Sequence, residues 1–167
     1  MVAGPYAIVL NGTSSAGKTS IALELQRRRP EVWFHASIDT FLNMLPLGER
    51  IDEIEAELLP IGMGVHAAMG ALAKAGNRVI VDHVFAMPAI EPLLRSALDG
   101  VPSLWVGVHC PLEELERRER ARGDREVGAA RRQIDVVHQG VAYDLELDTS
   151  LLDRTACVEV IGRHLDG

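Results

Sequence analysis

Tyr6-Ala-Ile-Val-Leu10-Asn11-Gly12-Thr13-Ser14-Ser15-Ala16-Gly17-Lys18-Thr19 is the stretch that decides the fold of this chain. The run from Tyr6 to Leu10 has no polar alternation, so it reads as a strand buried on both faces, the kind found in parallel sheets. From Gly12 to Thr19 the spacing is G-x-x-x-x-G-K-[ST]. Beyond it Ile21 and Leu25 share a helix face, and Arg27-Arg28-Arg29 and Pro30 close that helix. Strand, glycine-rich turn and helix together form the context in which this spacing is a phosphate-binding loop rather than a chance lysine after a turn. Glycines let backbone N–H groups turn inward onto phosphate oxygens, and the following helix presents the positive end of its dipole to the same anion. Gly12, Thr13, Ser14, Ser15, Ala16 and Gly17 are therefore expected to wrap the phosphates of a nucleoside triphosphate. Lys18 would reach the terminal phosphates, and the Thr19 hydroxyl would sit on Mg²⁺.

A chain of 167 residues fits one domain over 1–167, and no second domain is expected. Net charge is −7, which argues against generic attraction to nucleic acid or to an anionic membrane and leaves a small molecule as the expected partner. Met1 to Pro5 carry no basic leader, and the run ending at Leu10 is too short to span a bilayer, so a cytoplasmic location is expected. Cys110 and Cys157 match no metal or redox spacing and are expected as core residues rather than a disulfide.

Outward from the loop, strand and helix alternate. Val32 to Ile38 is rich in strand formers and ends on Asp39-Thr40. In an open parallel sheet the ligand crevice lies beyond the carboxyl ends of the strands, so Asp39 is a candidate general base; it also suits the N-cap of a short helix over Phe41 to Leu45, and both roles can hold. The segment around 40–64 is loose, apolar and broken by Pro and Gly, as expected of an acceptor pocket. A helix is predicted over Val65 to Ala75, then the strand Arg78 to Asp82. A carboxylate at that strand end can hold Mg²⁺ or act as a turn residue; after a phosphate loop the metal reading is favoured for Asp82. His83 beside it could meet substrate or only pack. A helix over Pro88 to Leu98, a strand over Ser103 to His109, a charged helix after Pro111, a strand over Tyr143 to Asp148 and a last helix opened by a Ser150 to Asp153 capping box complete the pattern. The expectation is a three-layer α/β/α sandwich on a parallel five-stranded sheet.

Seven of the fifteen arginines fall between Arg117 and Arg132, which calls for a local reason in an acidic chain. Glu113 with Arg117, Glu114 with Arg118 and Glu116 with Arg120 are i,i+4 pairs that would account for three of them as helix surface. Arg122 and Arg125 flank Gly123-Asp124, the layout of a lid, around 117–132, whose arginines close over phosphates; a solvated charged hairpin is the alternative. Arg131 and Arg132 are further candidates for phosphate contact. A GTPase switch would need Asp-x-x-Gly after the third strand, but Asp82 is followed by His-Val-Phe; a motor ATPase would need a longer chain. A small-molecule kinase of the P-loop NTPase, nucleotide-kinase-like class is left.

Six stretches in order carry a resemblance: Leu10-Asn-Gly-Thr-Ser-Ser-Ala-Gly-Lys-Thr19, Ile38-Asp-Thr40, Ala75-Gly-Asn-Arg-Val-Ile-Val-Asp82, Trp105-Val-Gly-Val-His-Cys110, Ala121-Arg-Gly-Asp-Arg125 and Val136-Val-His-Gln-Gly-Val-Ala-Tyr-Asp-Leu-Glu-Leu-Asp-Thr149. In these the chain resembles the chloramphenicol 3-O-phosphotransferases and their relatives. The resemblance implies transfer of the γ-phosphoryl of ATP, with Mg²⁺, to a hydroxyl of a small-molecule acceptor, as in antibiotic inactivation. It places the base at Asp39, the clamping lysine at Lys18, a metal ligand at Thr19 and lid arginines at Arg122 and Arg125. The stretch between Pro46 and Gly64 departs from the chloramphenicol-modifying pattern, and Asp82-His83 stands where that pattern has two acids. The acceptor is therefore left open: a kinase of another metabolite or nucleotide sugar, or a non-catalytic nucleotide-binding regulatory or toxin-like module, are the alternatives.

Overall fold

A computed structural model describes residues 6–45, 57–122 and 128–166, with the side chains of Leu58 and Arg122 outside that description. Five strands form one sheet in the order β2-β3-β1-β4-β5, every neighbouring pair parallel. They are β1 Tyr6–Asn11, β2 Trp33–Ser37, β3 Arg78–His83, β4 Ser103–His109 and β5 Leu145–Asp148. The helices are α1 Lys18–Arg28, α2 Ile38–Leu42, α3 Leu58–Lys74, α4 Ile90–Ala97, α5 Leu112–Arg122, α6 Ala129–Gln133 and α7 Arg154–Asp166.

Alternation along each strand builds two cores from one sheet. Ile8 and Leu10 of β1, Ile80 of β3 and Leu104, Val106 and Val108 of β4 point to one face, where α1, α5, α6 and α7 cover them with Ile21, Leu25, Leu115, Ala130, Val158 and Ile161. Ala7 and Val9, Val79 and Val81, and Trp105 point to the other, against Val65, Met69 and Ala73 of α3 and Leu94 of α4. β1 has a strand on each side and helices on both faces, which explains its unbroken apolar run. Burying each Leu or Ile here stabilises by about 1.5–3 kcal/mol. Cys110 and Cys157 are free and buried.

Several element boundaries differ from the sequence expectation, each for a local reason. Helix α3 begins at Leu58 rather than Val65, so part of the supposedly broken segment is helical. Pro60 falls in its first turn, where a backbone N–H has no helical partner to lose. Gly62 and Gly64 lie on an outer face where an added Cβ would meet nothing, and packing of Val65, Met69 and Ala73 offsets their helix cost of roughly 1 kcal/mol each. The rest of the expected acceptor segment, 46–56, lies outside the described residues. Strand β5 starts at Leu145, because Asp144 holds the preceding turn by its side chain: its Oδ2 accepts from the Trp105 amide at 2.8 Å. Helix α7 starts at Arg154, not Ser150. Asp153 caps it, accepting from the Ala156 amide at 2.8 Å, while Ser150 turns back to Asp148.

Arg29, just past the end of α1, is paired on two sides. It sits between Glu31 and Asp166, with its side chain 11% exposed, and ties the end of α1 to the end of α7.

Candidate functional site

The phosphate loop bridges β1 and α1, and its conformation follows from its residues. Gly17 has φ 97 and Ser15 has φ 63, with Ala16 between them outside the left-handed region; such alternation turns successive N–H groups toward one side, a concave nest suited to an anion. Helix α1 begins at Lys18, inside the motif, so its positive end faces the loop. Gly12 is required for a different reason: a Cβ there would run into the Val108 carbonyl oxygen on β4, so only glycine lets the two strands close at the loop's root.

A cavity of about 480 Å³ opens at the carboxyl ends of the strands. Ser14, Ser15, Gly17, Lys18 and Thr19 form one wall, Asp82 and Asp39 another, and Thr149, Leu152, Asp153 and Arg154 a third. Gly12, Thr13 and Ala16 form the loop behind it, with Thr13 and Ala16 buried. Of the other expected site residues, Arg125 and the side chain of Arg122 fall outside the described residues.

Within the cavity Lys18 is only 7% exposed, and its ammonium donates to the Thr13 carbonyl at 2.8 Å. The Thr19 hydroxyl donates to Asp82 Oδ2 at 2.7 Å, and His35 Nε2 lies 3.3 Å from the same oxygen. Burial would raise the Asp82 carboxyl, but the His35 contact, the Lys18 charge and the Thr19 hydroxyl outweigh it and hold it below the usual carboxylate range. A hydroxyl and an ionised carboxylate in contact are hard oxygen donors that suit Mg²⁺. Among the described residues no cluster of three or more His, Cys, Asp and Glu forms a metal cage. The Thr19–Asp82 contact fits an ion held by one or two protein oxygens and completed by phosphate and water.

Asp39 sits in the first turn of α2. The cap of that helix is Ser37, whose Oγ accepts from the Asp39 amide at 3.3 Å, so the N-cap role considered for Asp39 belongs to its neighbour two residues back. β2 lies beside β3 with Ser37 opposite Asp82, which sets α2 and Asp39 next to the Thr19–Asp82 pair.

Arg118 was missed as a site residue. Glu114 pairs with it at 2.8 Å as expected, but Arg118 also donates to the Thr149 hydroxyl at 3.0 Å and the Thr149 carbonyl at 2.8 Å, and both it and Arg117 line the cavity. Spacing showed the Glu114 pair but not the second partner, which lies 31 residues away. Arg117 pairs with Glu114 rather than Glu113, and Glu116 pairs with Arg131 rather than Arg120, which leaves Arg131 on the surface with its side chain 65% exposed. A second missed set surrounds Asn11, fully buried at the end of β1. Its Nδ2 donates to the Val137 carbonyl at 2.7 Å and meets the Tyr143 hydroxyl at 2.6 Å, and its Oδ1 accepts from the Phe85 amide at 2.9 Å. The Tyr143 hydroxyl also meets His138 Nδ1 at 2.8 Å. Gly107 is needed here because the Tyr143 ring lies where its Cβ would be.

A scan against family models matches residues 6–166 to the chloramphenicol phosphotransferase-like proteins. The chain belongs to that family. Among curated relatives, a Mycobacterium tuberculosis (strain H37Rv) protein provisionally named an O-phosphotransferase is 36% identical over 169 residues, covering 86% of this chain and 74% of the relative. A guanylate kinase of Thermobifida fusca is 27% identical over 172 residues, covering 87% and 82%. Among solved structures, the Mycobacterium tuberculosis APS kinase superposes with a TM-score of 0.76 at 17% identity over 98% of this chain and 99% of that one. Shikimate kinase from Aquifex aeolicus gives 0.63 at 14% identity, covering 96% of each. Both structural likenesses are to the fold. This member of the chloramphenicol phosphotransferase-like family is thus a phosphate-loop phosphotransferase of the kinase type. Among its described residues no helix is long and apolar enough to cross a membrane.

Against β3 the family member carries a buried pair outside the loop, His66 and His83, both 3% exposed, with their Nε2 atoms 2.9 Å apart. Burial, with His66 adding to it, pushes His83 down to about 4. Its folded-state value lies below the ordinary 6.5, so as pH falls the unfolded chain takes up this proton first. The contribution is complete above pH 6.5 and is lost progressively toward pH 4, by on the order of 3 kcal/mol. Urea unfolding at pH 7 and pH 4.5 checks this: the His83→Leu variant should lose less stability across that interval than the wild type, and an equal loss would remove His83 as the cause.

Proposed function

We propose that this protein transfers the γ-phosphoryl group of ATP to a hydroxyl of a small-molecule acceptor. The observation that carries the reading is that Lys18, Thr19, Asp82 and Asp39 line one cavity. In it Asp39 takes the acceptor hydroxyl's proton as the acceptor oxygen bonds to the γ-phosphorus and the bond to the β-phosphate oxygen breaks, releasing ADP. Lys18 stabilises charge on the phosphoryl oxygens, and the loop's N–H groups hold the β-phosphate. Thr19 and Asp82 are the residues that would hold Mg²⁺, which when bound neutralises charge across the β- and γ-phosphates. Thr149, Leu152 and Arg154 lie where the turn after the last strand would meet the adenine end. The segment around 117–132 serves as a lid bearing Arg122 and Arg125, and 40–64 shapes the acceptor side of one kinase domain spanning 1–167. Its surroundings are cytoplasmic.

Antibiotic inactivation is one use of such a transfer, and another hydroxylated metabolite or nucleotide sugar is the other. A panel of hydroxylated acceptors that includes chloramphenicol, scored by Mg²⁺-dependent ADP release, separates them. Release stimulated by at least one acceptor supports the reading. Tight ATP binding with no stimulation across the panel points instead to a nucleotide-binding regulatory module.

A further inference from the structure

One peptide unit of the loop is gripped from both of its poles. The Thr13 carbonyl accepts from the Lys18 ammonium at 2.8 Å, and the Ser14 amide, on the other side of the same peptide bond, donates to Gln133 Oε1 at 2.7 Å. Gln133 is the last residue of α6, the short helix that follows 123–127, and 119 residues separate it from Ser14.

Its placement is over-determined. Glu119 of α5, fully buried, accepts from the Gly128 amide at 2.9 Å and the Ala130 amide at 2.7 Å, fixing the start of α6. Asn11 holds the Val137 carbonyl just past its end. Gln133 therefore meets the loop from a segment anchored on both sides.

A carboxamide has one acceptor oxygen and two N–H donors in a single plane. Here the oxygen is used on Ser14, and among the described residues the side chain makes no other hydrogen bond. The two donors are left beside the peptide unit that parks Lys18, the residue that reaches the terminal phosphates. Phosphate oxygens are strong acceptors, and a hydrogen bond from a neutral donor to an ionised acceptor is about twice as strong as one between neutral groups.

We propose that Gln133 is the residue by which the α6 segment distinguishes a bound triphosphate from a diphosphate: Oε1 holds the Thr13–Ser14 peptide, and Nε2 donates to the terminal phosphoryl group when one is present. This rests on the reading of the loop as an ATP site. It couples the segment after the expected lid to the reacting end of the nucleotide, and lets that coupling lapse once ADP is formed.

Calorimetric titration of the full chain with Mg²⁺ and either ADP or the β,γ-imido analogue of ATP tests it without a known acceptor. Gln133→Met keeps the volume and removes both donor and acceptor; it should weaken the triphosphate analogue about tenfold and leave ADP within about twofold, the size expected for one hydrogen bond to a charged group. Gln133→Glu keeps an acceptor for Ser14 but sets a negative charge against the phosphate, so it should weaken the analogue at least as much, again sparing ADP. It also decides the matter should the Met variant fail to fold. Parallel weakening of both nucleotides, or of neither, overturns the assignment. Wild-type protein that binds neither nucleotide overturns the ATP reading itself and the role of Gln133 with it.

Discussion

Asp39→Asn should lower acceptor-stimulated turnover by about 10²–10⁴-fold while leaving nucleotide affinity within about twofold. The asymmetry comes from where the residue sits. Lys18 and the loop are built on β1 and α1, whereas Asp39 is carried by α2 at the end of β2, across Asp82 of β3. The Asn side chain keeps the size and shape of the carboxylate, and the cap of α2 is the Ser37 hydroxyl, so the helix keeps its N-terminal bond. On the proposed reading, what changes is the ability to take a proton from the acceptor. A general base removed from a transfer whose nucleotide is still held by the loop shows as lost turnover at unchanged binding. Steady-state ADP release with the best acceptor of the panel, paired with calorimetry of the ATP analogue, reads both quantities. Unchanged turnover would leave Asp39 without a catalytic role, and a matched loss of binding would make it a structural support of the loop.

The parts of this molecule readable from its sequence are those where one short stretch carries all the information. The loop was legible because strand, glycines, Lys18, Thr19 and helix are contiguous, and because β1, central in the sheet, must be apolar throughout. The order of the elements was legible for the same reason. What escaped was decided by partners distant in sequence. Arg118 satisfies the i,i+4 rule with Glu114 and therefore looked fully explained, yet its remaining donors reach Thr149. Asn11 reads as an ordinary residue before a turn, but its amide is the joint between β1, the amide of Phe85 and the segment around Val137 and Tyr143. Glycine misled in the opposite sense: Gly62 and Gly64 suggested a break, and the buried stripe of α3 overrode them.

Lys18→Met should abolish transfer more thoroughly than it harms the fold, and the contrast between the two effects is the sharper test. Lys18 is 7% exposed, and its ammonium donates to the Thr13 carbonyl. Its charge also helps hold Asp82 ionised and His83 and His138 neutral. Holding a cation there costs desolvation that its surroundings, the Asp82 carboxylate among them, offset, and an apolar side chain of similar length removes that cost together with those contacts. The native loop is therefore expected to gain little stability from a charge aimed at phosphate. Loss of one preorganised electrostatic contact to the transition state lowers turnover by about 10²–10³-fold, and the triphosphate analogue should bind more weakly as well, which separates this variant from Asp39→Asn. In thermal unfolding without nucleotide, Lys18→Met should melt close to the wild-type temperature. With saturating ATP analogue the wild type should overtake it, because a ligand that binds only the folded state adds stability that grows with the logarithm of its concentration relative to its Kd. A variant that melts well below wild type in the absence of nucleotide would mean that Lys18 holds the loop together, and the loss of turnover would then say nothing about charge on the phosphoryl group.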